Sequence, residues 1–119
     1  MNSKVYPDLG NPISLTSGAA WTYGNLVEVI PPNSIATTTG RYVIIGIEIE
    51  SITPTGFQYE ISFYLNNSDT IPLGSFRFAA IGGMDCYSRM LQVENRLYAK
   101  VASTVNGATI KFSIRFKKV

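Results

Sequence analysis

The sequence contains no histidine and a single cysteine, Cys86, among its 119 residues. One cysteine cannot form an intrachain disulfide, and without histidine or a second thiol the usual zinc, copper and non-haem iron sites cannot be assembled. The absence of histidine also excludes the Ser-His-Asp and Cys-His arrangements of nucleophilic catalysis. We therefore predict a protein without cofactors, in which Cys86 is a small, partly buried thiol.

Charged side chains are sparse, at 15% of the chain, and the net charge is only +2. This excess is too small to indicate a nucleic-acid partner. The charges are nevertheless unevenly distributed: residues 1–76 carry two basic and six acidic side chains, whereas residues 77–119 carry eight basic and two acidic ones. The two halves can therefore attract one another, either within one fold or between copies of the chain.

Long apolar runs are also missing. No stretch approaches the roughly 20 apolar residues that cross a bilayer, and the first residues, MNSKVYPDLGNP, lack the apolar segment of a secretory signal. We therefore expect no membrane partner and synthesis in the cytoplasm without a signal peptide. Apolar residues still make up 45% of the chain, which is enough for one domain with a single core.

The sequence does contain clear alternation with a period of two. Large apolar side chains occupy every second position from Ile110 to Phe116, and mostly basic or small polar ones lie between them. This pattern predicts a strand with one apolar face. Residues 41–51 alternate in the same way and are rich in β-branched side chains, which favour strands. No stretch has sustained helical spacing, so we expect almost no helix.

Turn residues divide the chain into about eight strands. The predicted strands are residues 13–16, 25–30, 41–51, 57–65, 72–79, 85–93, 97–102 and 108–118. Eight short strands in one domain of this length indicate an all-β fold, an eight-stranded antiparallel sandwich of jelly-roll type. Gly82-Gly83 is interpreted as a break in the chain and Asn106-Gly107 as a tight turn.

We assign residues 13–119 to this single β-sandwich domain and residues 1–12 to an extended N-terminal arm. The arm contains Pro7, Gly10 and Pro12 and few apolar side chains, which is typical of a segment outside a core. Two interpretations remain open. The arm is either a disordered tail or a segment that reaches across a neighbouring subunit.

A jelly roll places its last strand beside its third. With both apolar faces buried, Glu48 and Glu50 would point outward next to Lys111, Arg115 and Lys117, and each opposite-charge pair would stabilise the sheet by roughly 0.2–1 kcal/mol. The alternative is that these charges join subunits. Glu48 and Glu50 could also form the carboxylate pair of a glycosidase, but alternating acids on an exposed strand are more often solvated surface. We therefore predict no enzymatic activity.

Aromatic residues are plentiful, with seven Tyr, six Phe and one Trp. Trp21 and Tyr23 lie in a glycine-containing loop, where their rings could stack against a sugar or a base. The alternative interpretation is that they cover an end of the sandwich core.

Three segments of the chain resemble small virion proteins of tailed bacteriophages. They are VEVIPPNSI (residues 27–35), IGIEIESI (residues 45–52) and ENRLYAKVASTVNGATIKFSIRF (residues 94–116). The shared layout includes an extended start, a Trp near residue 20 and a closing hairpin, and it covers most of the chain. One departure is that Val93-Glu94-Asn95 stands where the pattern has a proline before the last hairpin.

The resemblance implies a β-sandwich that decorates a capsid or forms an appendage, often as a trimer. The expected function is that of a non-enzymatic structural protein of the virion, most simply a capsid decoration or accessory head protein. Its expected partners are further copies of itself, as a homotrimer, and the major capsid protein or another virion protein. Repeated copies on a lattice would multiply the affinity of each contact.

Two surfaces are candidates for these contacts. One is the N-terminal arm at Tyr6 and Pro7, and the other is the predicted edge strand at Tyr87, Arg89 and Leu91, because unpaired strand edges attract partners. The alternative function is a carbohydrate-binding β-sandwich module of a phage tail appendage. In that case the ligand-stacking residues would be Trp21 and Tyr23.

Overall fold

The computed structural model describes residues 3–8, 10–32, 34–35, 40–65, 72–88, 91–92 and 94–118. These residues form ten strands. The strands are β1 (Ser3–Tyr6), β2 (Ile13–Thr16), β3 (Val27–Ile30), β4 (Arg41–Thr53), β5 (Tyr59–Leu65), β6 (Pro72–Phe78), β7 (Gly82–Asp85), β8 (Leu91–Gln92), β9 (Leu97–Ser103) and β10 (Thr109–Lys118). Across the described ranges, no helix is long and apolar enough to span a membrane.

The strands form two sheets. A six-stranded sheet has the order β1-β10-β4-β7, with β2 also paired to β10 and β8 to β4, and a four-stranded sheet has the order β3-β9-β5-β6. Every pairing is antiparallel. The predicted all-β class with two antiparallel sheets is therefore confirmed, whereas the jelly-roll type stays a prediction.

The pairing of the last strand with the strand at residues 41–51 was predicted and is observed. β10 and β4 pair from Thr109 opposite Thr53 to Lys118 opposite Tyr42, with two register shifts along the way. The alternating apolar residues of β10, Ile110, Phe112, Ile114 and Phe116, are all buried. This long ladder is the centre of the six-stranded sheet.

The core lies between the two sheets and is built from the inward faces of β4, β5, β9 and β10. Phe63 of the four-stranded sheet meets Phe112 of the six-stranded sheet edge to face, with ring centroids 6.4 Å apart. Fully burying one such side chain stabilises a fold by about 1.5–3 kcal/mol. The strictly alternating strands therefore supply most of the contacts that hold the sheets together.

The described residues form ten strands and not the eight predicted, and three parts of the predicted element list differ from the structure. Residues 3–6, assigned to the arm, form β1 and pair with β10 of the same chain, because β10 extends beyond β2 and leaves a ladder position free. Gly82-Gly83, interpreted as a break, lies within β7 and pairs with β4. Glycine suits this position because a Cβ on Gly83 would lie 3.1 Å from both an Arg115 nitrogen and a Glu48 oxygen.

The predicted strand at residues 85–93 is also divided. Asp85 ends β7, and β8 (Leu91–Gln92) pairs separately with Arg41 and Tyr42 at the start of β4. Between them, Ser88 donates its backbone N–H to the carbonyl of Ile44 at 3.0 Å. The described residues 85–88 and 91–92 therefore lie along the edge of β4 in two separate stretches.

Candidate functional site

One free edge of the six-stranded sheet, formed by β7, is the leading candidate for a contact surface. β7 pairs with β4 on one side and with no other strand in the described part of the chain. Ile81, directly before β7, is 63% exposed, and Tyr87, two residues after it, is 70% exposed. These are the most exposed large apolar side chains among the residues described, and they flank the same short strand.

The backbone groups on this edge can be assigned from the ladder. Cys86 donates its N–H to the carbonyl oxygen of Ile45 at 3.3 Å. Hydrogen-bonding positions alternate along an antiparallel pair, so Met84 bonds toward β4 on the same side as Cys86. Gly83 and Asp85 consequently direct their N–H and C=O groups toward the free edge, where they can pair with another strand.

An apolar cleft opens beside Tyr87, where the edges of the two sheets meet. Its lining residues are Ile44, Phe63, Leu73, Phe76, Cys86, Tyr87 and Ser88. Burial raises the pKa of the Cys86 thiol to about 11. The thiol is therefore protonated near neutral pH, which makes it a packing group and not a reactive nucleophile.

The outer face of the same sheet carries an ionic cluster centred on Arg115. Its guanidinium donates to Glu48, with Nε 3.1 Å from Oε1, and lies 3.6 Å from a carboxylate oxygen of Asp85. Gly46 and Gly83 lie beneath it, and a Cβ on Gly46 would come within 3.3 Å of the guanidinium carbon. The predicted intrachain pairing of Glu48 with Arg115 is thus confirmed.

The other predicted members of this charged face are arranged differently. Glu50 accepts a hydrogen bond from the Ser113 hydroxyl at 3.3 Å. Lys111 and Lys117 lie opposite Ser51 and Val43 in the ladder, not opposite the two glutamates.

Trp21 and Tyr23 lie outside the core, at the outer face of the four-stranded sheet. Trp21 donates its N–H to the Ser103 carbonyl at 2.6 Å, and Gly24 donates to Val101 at 3.0 Å, so this segment runs along β9. Trp21 has a positive φ of 53° and is 44% exposed. Its ring centroid is 4.9 Å from the guanidinium carbon of Arg77, which comes from the far edge of the sheet.

Tyr23 belongs to a polar network on the same face. Its hydroxyl donates to Glu60, which also accepts from Nε of Arg77 at 2.9 Å. The ammonium of Lys100 lies 4.9 Å from the Tyr23 ring centroid and 4.8 Å from that of Tyr64. The interpretation that Trp21 and Tyr23 cover an end of the core is therefore wrong, because both reach across the sheet's outer face.

Two pKa shifts record how closely this network is coupled. Partial burial, followed by the hydrogen bond to Glu60, raises the pKa of Tyr23 above its usual value. The hydrogen bonds from Tyr23 and Arg77 hold the pKa of Glu60 below its usual value. At neutral pH the network therefore consists of a neutral phenol, an ionised carboxylate and a guanidinium.

The remaining predicted contact residues have different environments. Tyr6 pairs with Ile114 in the β1–β10 ladder and packs partly against the core, and Pro7 follows it, also partly buried. Leu91 is only 2% exposed within the single chain, so its side chain contributes to the core and not to a contact surface. Arg89 lies outside the described residues.

Sequence reasoning missed two residues of these surfaces, Ile81 and Arg77. Ile81 was passed over because it stands alone between Ala80 and Gly82, where no alternation marks it. An isolated large apolar residue in a stretch of small ones was the available signal. Arg77 alternates with the phenylalanines on either side of it, which marks it as an outward-facing strand residue, but its contact with Trp21 joins distant parts of the chain.

No group of three or more His, Cys, Asp or Glu side chains that could hold a metal ion is present in the described ranges. The chain matches no protein-family model, and comparison with curated proteins found no match.

Proposed function

We propose that the protein is a non-enzymatic structural component of a virion, a capsid decoration or accessory head protein that binds other protein through its β7 edge. The observation that carries this proposal is the unpaired edge flanked by Ile81 and Tyr87. An exposed strand edge with adjacent apolar side chains is a template for pairing with another chain. Monomeric proteins usually cover or charge such an edge.

The ionic groups on both outer faces support the same function. Glu48 pairs with Arg115 on one face, and Glu60 pairs with Arg77 on the other. These charged groups form ion pairs within the chain, so they stabilise the sandwich and do not need a partner protein. The apolar β7 edge is therefore the surface whose burial against another protein would be most favourable. Many copies on a lattice would turn a modest contact at each edge into stable attachment.

Co-sedimentation with capsids tests this function. If a major capsid protein gene lies beside the gene for this chain, assembled particles of that protein are the probe, mixed with the purified chain. We expect the wild-type chain to sediment with the particles and Ile81→Lys to remain in the supernatant, because a charge at the edge is costly to bury.

Phe57→Lys is the matched control, since Phe57 is an exposed apolar residue in the β4–β5 connection and is not part of β7. It should bind like the wild type. A wild-type chain that never sediments, or equal loss with both variants, would contradict the proposal. A gene neighbourhood without capsid or portal genes would also count against it.

Carbohydrate binding is the second candidate function, and the exposure of Trp21 is the observation that favours it. Beside this residue, an open groove is lined by Gln58, Arg77, Phe78 and Ala79. Sugar recognition uses an aromatic face together with fixed amide and guanidinium groups, and this groove offers each of them.

A glycan array distinguishes this function from the first. If the groove binds a sugar, Trp21→Ala should lose at least about tenfold in affinity, which corresponds to about 1.4 kcal/mol. Tyr87→Ala, which removes an exposed aromatic ring at the other site, should bind like the wild type. Absence of any bound glycan, or equal binding by Trp21→Ala, would exclude this second function.

A further inference from the structure

We infer that two copies of this chain pair through their β7 strands, antiparallel, about a two-fold axis at Met84. This inference rests on the proposed function as an assembly protein, and it names the protein bound at the β7 edge as a second copy of the same chain, in a two-fold dimer and not the homotrimer that the resemblance implies. Capsid attachment would then belong to the dimer, and Ile81→Lys would weaken it by removing the second copy. The pairing would join two six-stranded sheets into one continuous sheet.

The backbone of β7 is arranged for this pairing. The groups that face the free edge belong to Gly83 and Asp85, one on each side of Met84. With the axis at Met84, Gly83 of one copy lies opposite Asp85 of the other, so each pair exchanges two N–H to C=O hydrogen bonds. In a register shifted by one residue, the edge-facing N–H and C=O groups of one copy would lie opposite residues whose N–H and C=O groups point toward β4. Those groups could not form hydrogen bonds between the copies.

Unfavourable side-chain pairs oppose the two registers that are shifted by two residues. A shift by two residues in one direction places Asp85 opposite Asp85 of the second copy, which is repulsive. A shift in the other direction places two Gly83 residues together and sets apolar Ile81 against Asp85. Only the register centred on Met84 keeps the aspartates apart and opposite glycine, where no side chain obstructs the strand.

The same register brings the exposed apolar residues together. Ile81 and Tyr87 are each three positions from Met84, so Ile81 of one copy lies opposite Tyr87 of the other, beside the apolar cleft at Tyr87. The contact occurs twice, once at each end of the strand. This is the reciprocal arrangement of an isologous two-fold interface.

A pair of double variants tests the register. Ile81→Lys with Tyr87→Lys places like charges opposite one another across the axis, whereas Ile81→Lys with Tyr87→Glu places opposite charges there. Both variants remove the same apolar contact, and residues 81 and 87 of one chain are roughly 20 Å apart along the strand. A difference in dimer affinity between the two variants therefore reports the contact between residues 81 and 87 of different copies.

Sedimentation velocity across a concentration series measures the dimer. We expect a wild-type dimer, at least about tenfold weaker association for the Lys/Lys variant, and tighter association for Lys/Glu than for Lys/Lys. Unchanged near-ultraviolet circular dichroism checks that both variants fold. A wild-type monomer at about 100 μM, a trimer, or equal association of the two variants would overturn the inference.

A cysteine scan provides an independent test. Met84→Cys should form a disulfide-linked dimer under mild oxidation, because opposite residues in a non-hydrogen-bonded pair have Cα atoms about 4.5 Å apart. Tyr87→Cys is the control: it is more exposed, but in this register its two copies are roughly 20 Å apart. Faster cross-linking of Tyr87→Cys than of Met84→Cys would overturn the inference.

The outcomes separate this inference from the proposed function. A chain that sediments with capsids but stays monomeric in solution would remove only the two-fold pairing. A dimer with the expected register that never binds capsids would remove only the virion function.

Discussion

At the scale of single residues, Gly24 occupies a position with no room for a side chain. A Cβ there would lie 1.8 Å from the carbonyl oxygen of Thr16. The N–H of Gly24 also donates to Val101, which holds this segment against β9. The close approach of two backbone segments therefore depends on the absence of a Cβ.

We predict that Gly24→Ala lowers the free energy of unfolding by about 3 kcal/mol or more, because one backbone segment must move. Urea denaturation measures the change. Gly56→Ala is the control: Gly56 has a φ of 83°, but a Cβ added there would meet no other atom. This variant should lose only roughly 1–2 kcal/mol of stability, through backbone strain. Equal losses would show that Gly24 is not sterically restricted.

Tyr42 presents the opposite situation, a buried polar atom without a partner. Its hydroxyl has no hydrogen bond within the described residues, and burial raises its pKa to about 12. The ring itself packs edge to face with Phe116, with centroids 6.0 Å apart. The aromatic contact therefore stabilises the core, whereas burial of the hydroxyl lowers the free energy of unfolding.

We predict that Tyr42→Phe raises the free energy of unfolding by about 1 kcal/mol, because it removes an unsatisfied buried group and keeps the ring. Thermal denaturation would show an increase of about 4 °C in Tm. Tyr59→Phe is the matched control: its hydroxyl donates to the Pro54 carbonyl at 2.5 Å, so its loss should destabilise. A lower Tm for Tyr42→Phe would contradict this assignment.

The raised pKa of Tyr42 predicts how the free energy of unfolding changes at alkaline pH. A folded-state pKa of about 12, above the usual value near 10, means that the stability linked to neutral Tyr42 is complete below about pH 10 and is lost as pH rises toward 12. Denaturation midpoints between pH 9 and pH 11, about one unit either side of the usual pKa, should fall less steeply in Tyr42→Phe than in the wild type. Equal pH dependence in the two proteins would show that other titrating groups dominate the loss of stability.

At the scale of secondary-structure elements, the β4–β10 pair combines a buried apolar face with a charged outer face. Alternation in the sequence predicts both faces of β10, because a strand directs successive side chains to opposite sides. In β4 the buried positions change from Tyr42 and Ile44 to Ile47 and Ile49, which alternation does not predict. Nor does alternation predict which opposite charges meet. The register shift between Arg115 and Phe116 and the glycines at positions 46 and 83 decide that Arg115 contacts Glu48.

We predict that Glu48→Gln lowers the free energy of unfolding by at most about 1 kcal/mol, because the pair is only partly shielded from solvent. The oligomeric state, measured by light scattering, should not change, since the pair lies within one chain. Glu28→Gln, whose partner Arg96 is more exposed, should have a smaller effect. Dissociation of the oligomer by Glu48→Gln, with the fold intact, would instead place this charge between subunits.

At the scale of the whole molecule, the two sheets differ in their free edges. In the four-stranded sheet, residues 21–24 extend the edge formed by β3, and their aromatic side chains lie over the outer face. In the six-stranded sheet, β7 is short and flanked by exposed apolar residues. The described part of the molecule therefore combines a face rich in aromatic and charged side chains with an edge, β7, that is suited to strand pairing.

We predict that the Tm of the wild-type chain rises with protein concentration, by a few degrees per tenfold, because dimerisation stabilises the folded state by mass action. The Ile81→Lys, Tyr87→Lys variant should have a Tm that is independent of concentration. Differential scanning calorimetry over a hundredfold range provides the measurement. A concentration-independent wild-type Tm would show that the folded chain does not associate in that range.

The all-β class, the main strands and the pairing of the last strand with residues 41–51 can all be predicted from the amino-acid sequence. This is possible because alternation is a local property that a strand converts directly into a buried face and an exposed face. The core residues from Ile110 to Phe116 followed from the same pattern. Of the predicted edge strand at residues 85–93, Tyr87 lies outside a strand, and Leu91, in β8, is buried.

The positions of the candidate sites, in contrast, depend on how the whole chain packs. The approach of Arg77 to Trp21 and the exposure of Ile81 depend on contacts and strand order between segments far apart in the chain. β7 forms from glycines that local propensity interprets as a break, because strand pairing with β4 and the space needed by Arg115 outweigh that propensity. A free edge is a property of sheet order, and sheet order is set by the packing of the whole chain.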